Sequence, residues 1–159
     1  MSLSNFERMI QLADEVFDVR NDPSQLDINP GVLERLVQLH PATVSEHDDG
    51  NGPVAWVLLI PTTQQLMYEF LEGRISEKEL FENTPTGILY DALYLCSALV
   101  LAEHRRQGLV KRLTTDAIRS IRKDYPIQYL FVWAFSNEGE LSAENISELT
   151  SLPLLKRTT

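Results

Sequence analysis

Between Leu93 and Lys111 an apolar run ending at Leu101-Ala102 passes through Glu103-His104-Arg105-Arg106-Gln107-Gly108 into Leu109-Val110-Lys111. The run is long enough to be a buried strand, and the residues after the glycine have helical apolar spacing. The first four N–H groups of a helix lack intrahelical partners, and the macrodipole places partial positive charge at that end. A strand–turn–helix junction of this kind holds phosphate through its backbone. Arg105, Arg106 and Lys111 add full positive charge to the same place. The chemistry expected here is capture of a polyanion. An ordinary strand–helix junction with an arginine-rich helix start would carry the same residues.

Other reactive side chains are sparse. Cys96 is the single cysteine, which excludes an intramolecular disulfide, offers no metal-ligand spacing and suits a reducing, cytoplasmic compartment. Its apolar surroundings read as those of a buried, unreactive thiol. His40, His47 and His104 have no partner spacing and read as surface or turn residues. Glu103 lies in the polar turn and reads as solvated. Tyr94 lies in the apolar run, where a core or pocket-wall role competes with a catalytic one; a phenol with its usual pKa near ~10 is a poor base without help.

The elements that must position these residues follow from periodicity and punctuation. Ser4-Asn5-Phe6-Glu7 has capping-box spacing, and Met9, Ile10, Ala13 and Phe17 recur at helical spacing, predicting a helix over 5–18. Asn29-Pro30 reads as an N-cap and first helical residue, with Leu33, Leu36 and Val37 on the apolar face before Pro41. Residues 43–47 and 54–60 read as a hairpin joined through Asp48-Asp49-Gly50-Asn51-Gly52. Between Pro61 and Gly87 two short helices are expected, the first with Leu66, Met67, Phe70 and Leu71, the second starting at the capping box Ser76-Glu77-Lys78-Glu79. This segment could wall a binding pocket or serve in packing. A strand over 90–102, a helix over 107–122 and a continuous apolar strand over 128–135 then form a right-handed βαβ unit. A last helix is expected from near Ser142 to Pro153, using Ile146 and Leu149.

A chain of 159 residues with 43% hydrophobic and 23% charged content fits one globular domain over 1–159. The 23 acidic and 14 basic residues give a formal charge of −9, which speaks against nucleic acid and favours a cationic partner. Half of the basic residues fall between Arg105 and Lys123. No apolar run approaches the ~18 residues of a membrane span, and no membrane partner is expected.

Arg105-Arg106-Gln107-Gly108-Leu109-Val110 resembles the Arg/Gln-x-x-Gly-x-Gly/Ala signature of the GNAT superfamily of acyl-CoA-dependent N-acetyltransferases. Val110 departs from the small residue usual at the last position, and the family often has glycine where Arg106 stands. Two helices before a hairpin with a glycine-containing turn are also characteristic. The resemblance implies an α/β (α+β) fold, a GNAT-like mixed central sheet flanked by helices, here with a helical insertion near 62–87 and a shortened C-terminus. It implies acetyl-CoA, or another acyl-CoA, as cofactor. The pantetheine arm would pair with the strand at Ala98, Leu99 and Val100. Arg105, Arg106, Gln107, Gly108, Leu109, Val110 and Lys111 would hold the pyrophosphate, with Asn137 nearby; a helix cap is the other reading of Asn137. Tyr94 falls where some relatives place a catalytic glutamate. The family's tyrosine acid, seven positions after the asparagine, has no counterpart: that position is Glu144, and no tyrosine follows Tyr129. The implied function is acetyl transfer to an amine of a small molecule or protein; the alternative is an acyl-CoA-binding module without efficient catalysis. With the acceptor side shortened, the insertion or a second subunit of a homodimer would complete it.

Overall fold

A computed structural model describes residues 4–20, 30–134 and 136–158, with the side chains of Asp14 and residues 16–20 left aside. Asn29, the expected cap, the contacts of Phe17, and Phe135 therefore lie outside the described residues. The chain begins with α1 (Asn5–Arg20) and α2 (Pro30–Leu39). Ser4 Oγ accepts from the Glu7 N–H at 3.2 Å, which is the first half of the expected capping box. Strands β1 (Val44–Asp48) and β2 (Pro53–Thr62) form the hairpin. The insertion folds as α3 (Gln64–Leu71) and α4 (Glu77–Asn83), and the Ser76/Glu79 capping box forms in full. Then come β3 (Ala92–Val100), α5 (Leu109–Asp124), β4 (Tyr129–Val132), α6 (Asn137–Thr150) and β5 (Leu154–Lys156).

The sheet order is β1-β2-β3-β4-β5, antiparallel through β3 and parallel from β3 to β5. Its core joins Leu36 and Leu39 of α2, Ile118 and Ile121 of α5, the middle of β2 and the Met67, Phe70, Leu80 and Phe81 side chains of the insertion. The mixed sheet, the crossover helix α5 between parallel strands and the inserted helical pair are the arrangement expected.

Four expectations change. The last helix starts at Asn137 instead of near Ser142, because Ser136 takes the N-cap and accepts from the Gly139 N–H at 3.0 Å. The segment after Pro153 adds the short parallel strand β5, anchored where Lys156 Nζ meets Glu140 at 2.8 Å and Glu144 at 2.5 Å. Both carboxylates raise the Lys156 pKa. His40 is buried, capping the 3₁₀ turn at Pro41–Thr43: its Nδ1 accepts from the Ala42 N–H at 3.0 Å while Nε2 lies 2.6 Å from Asp124 at the end of α5. Ile10, Val37 and Leu149, assigned to apolar faces, are exposed, since each lies at the edge of a stripe whose centre is Met9, Leu36 or Ile146.

Candidate functional site

The pairing of β3 with β4 stops after Tyr94↔Phe131, although β3 continues to Val100. The cause lies in the register with β2. Leu58 pairs with Ser97 and Leu59 with Leu95, so Cys96 is an extra residue in β3. A bulge bends the strand that carries it and sharpens its twist. Beyond it β3 leaves β4, and among the described residues Ala98, Leu99 and Val100 form no ladder pair with β4.

The gap between the strands is a cleft of about 230 Å³. Leu58, Cys96, Ser97 and Ala98 line it from the sheet, Val110 and Thr114 from α5, and Ser142 and Ile146 from α6; Trp133 and Ala134 line it beyond the end of β4. Cys96 is thus half-buried in a cleft wall instead of sealed in the core.

The basic turn stands where β3 hands over to α5. Its backbone alternates in hand: Arg105 is extended at φ −67°, Arg106 left-handed at φ 64°, and Gly108, the helix N-cap, left-handed at φ 73°. An extended residue followed by a left-handed one makes a tight turn that delivers the chain to the N-terminus of α5, the end of a helix that favours an anion. The N–H of Arg112 bonds to the Gly108 carbonyl at 3.0 Å, whereas those of Arg106 to Lys111 have no partner among the described residues. A Cβ built on Gly108 would meet nothing within 4 Å, so its glycine serves φ and leaves the approach open. Arg105, Arg106 and Lys111 are exposed and form no ion pair with the described residues. The turn is braced from α1, where Arg8 Nη2 donates to Glu103 at 2.7 Å. That guanidinium, with help from the backbone, lowers the Glu103 pKa to about 2. His104 adds a contact of 3.5 Å to Asp49 of the hairpin turn.

The remaining expected residues are distributed as follows. Ala98 and Val110 line the cleft, Leu99 is buried and Val100 half-buried. Asn137 is exposed in the first turn of α6, next to Ser136, which lines the cleft. Tyr94 is 1% exposed, does not line the cleft, and donates its hydroxyl to Glu77 of α4 at 2.6 Å. Its ring stacks on Phe131 and meets Phe70 edge-on. The insertion is therefore fastened to the end of β3 where the strands part. Arg157 adds to that closure, lying over the Phe70 and Trp133 rings and donating to the Ile75 carbonyl at 3.2 Å.

Sequence reasoning missed most of the cleft lining from β2 and α6. For α6 the available signal was the small-residue series Gly139, Ser142 and Ala143 at helical spacing, and β2 offered none beyond its apolar run. Among the described residues no cluster of side chains could hold a metal ion, and no helix is long and apolar enough to cross a membrane.

Two solved structures are similar in architecture. Naa20 of Chaetomium thermophilum, in complex with a bisubstrate analogue, superposes with a TM-score of 0.49 and 14% identity over 78% of this chain. The NatB acetyltransferase complex bound to a bisubstrate inhibitor gives 0.49 and 13% over 84% of this chain. This chain spans 58% and 66% of the lengths of those two chains. No family model and no curated protein matches the sequence.

Proposed function

We propose that the chain is an acyl-CoA-dependent N-acyltransferase that acts on an amine. The observation that carries this reading is continuity: N–H groups at 106–111 with no partner among the described residues stand beside a cleft bordered by Ala98 to Val100, which form no ladder pair with β4 there. A pyrophosphate fits those N–H groups, and an amide-bearing arm fits the backbone of Ala98 to Val100 as an added strand would. Coenzyme A, when bound, supplies an acyl group activated as a thioester toward a neutral amine.

The chain's own residues then have distinct tasks. The N–H groups of Arg106 to Lys111 bind the pyrophosphate, and Arg105, Arg106 and Lys111 raise its local concentration by long-range attraction. Leu58, Trp133 and Ile146 exclude water from the cleft walls, which strengthens any polar contact made inside. Ser97, Ser136 and Ser142 present hydroxyls there to hydrogen-bond a reacting carbonyl or its departing sulfur, whereas the Thr114 hydroxyl donates to the Val110 carbonyl. Tyr94 acts as a positioning residue, because its hydroxyl is committed to Glu77. Acetyl is the expected acyl group, and the single cysteine fits work in the reducing cytoplasm.

Calorimetric titration with acetyl-CoA and CoA tests the reading. The wild type should bind both, and an Arg105→Ala/Gly108→Trp variant that keeps its circular dichroism should lose binding. Wild type that binds neither thioester nor CoA overturns the proposal.

A further inference from the structure

Glu46, Trp56 and Phe6 stand together on one face of the sheet and take no part in the cofactor cleft. Register places them. Glu46 pairs with Trp56 across β1 and β2, and Trp56 pairs with Leu99 across β2 and β3. Residues two apart on a strand share a face, so the next pair along this face is Leu58 and Ser97, both of which line the cleft. The step from one pair to the next is about 7 Å.

The three side chains are organised. Trp56 Nε1 donates to Glu46 Oε2 at 3.2 Å, which fixes the indole beside the carboxylate. Phe6, projecting from α1 and 56% exposed, meets the indole edge-on, with ring centroids 6.2 Å apart and planes at 69°. Two aromatic walls nearly at right angles, with a carboxylate alongside, form a corner that attracts an organic cation through ring quadrupoles and charge. Arg8, two residues from Phe6 on α1, is paired with Glu103.

We propose that Glu46, Trp56 and Phe6 form a docking subsite for an alkylammonium group of the acceptor. The inference rests on the reading of the cleft as an acyl-CoA site. It also narrows the acceptor class. A nitrogen held against a carboxylate stays protonated and cannot attack a carbonyl, so the docked cation is not the nitrogen that reacts. The acceptor therefore carries a second, charged nitrogen in addition to the neutral amine directed at the cleft.

The test needs neither CoA nor turnover. Nuclear magnetic resonance would follow the two indole N–H signals, assigned with Trp56→Leu, while n-butylammonium chloride or neutral n-butanol is added to the full chain. A saturable shift of the Trp56 signal with the ammonium, absent with the alcohol, is expected. Glu46→Gln and Phe6→Leu should each weaken that binding by about fivefold or more. Equal response to the alcohol, a shift confined to Trp133, or a Glu46→Gln protein that titrates like wild type would overturn the subsite. Failure of the cofactor reading is scored separately, since it shows only in the acetyl-CoA titration.

Discussion

Arg106 is held at φ 64°, a backbone region that costs an L-residue about 1–2 kcal/mol. Glycine escapes that cost but adds freedom to the unfolded chain, worth about 0.5–1 kcal/mol. Arg106→Gly should therefore stabilise the fold by about 0.5–1 kcal/mol in urea denaturation, while weakening acetyl-CoA binding through lost charge. A loss of stability would show that the arginine side chain itself supports the turn. Glu103 gives a second prediction at this scale. Its folded-state pKa is lowered to about 2 by Arg8, so its contribution is present above the ordinary carboxylate range and is lost as pH falls toward 2. Arg8→Met should flatten the acid limb of stability and move the Glu103 titration upward, both measurable by acid unfolding and carboxyl resonance shifts. The sequence showed Glu103 in a polar turn but not its partner, which lies 95 residues away on α1.

At the scale of elements, the inserted pair α3–α4 governs how the split sheet is closed. Its helices were legible because capping boxes and apolar stripes are local signals, and Ser76 with Glu79 forms the expected reciprocal pair. Its attachment was not legible. Glu77 reads as an ordinary acidic first-turn residue, yet it is 3% exposed and accepts the Tyr94 hydroxyl. Tyr94→Phe leaves a buried carboxylate oxygen without that donor and should cost about 1–3 kcal/mol of stability. Hydrogen exchange of α4 should rise more than that of α5. An unchanged exchange rate in α4 would mean that the contact does not fasten the insertion. The start of α6 also went unread, because Ser136-Asn137-Glu138 and Ser142-Ala143-Glu144 both offer plausible caps and only the end of β4 selects the first. The strand β5 is three residues long and follows a proline, too short for any periodic signal.

For the whole molecule, the cleft joins β2, β3, α5 and α6, so a ligand that fills it should report on global stability. A ligand bound only by the native state stabilises by about 2.7 kcal/mol at a concentration 100 times its dissociation constant. Acetyl-CoA at that excess should raise the unfolding midpoint by several degrees in calorimetry, and the shift should vanish in the Arg105→Ala/Gly108→Trp variant. It should also shrink with salt, because exposed arginines act through screened attraction.

The sequence by itself determined the order of elements through α6, the basic strand–helix turn and the helical insertion, because each depends on residues within one turn or strand of one another. Gly108 after paired arginines and Ser76 before Glu79 carry their conformations locally. Tertiary structure alone decided where the sheet opens. That depends on Cys96 being the extra residue in the register of β3 with β2, a comparison between strands separated in the chain. It also decided which hydroxyls face the cleft, and that Glu46, Trp56 and Phe6 meet beside it, since register and helix docking bring together what sequence distance keeps apart.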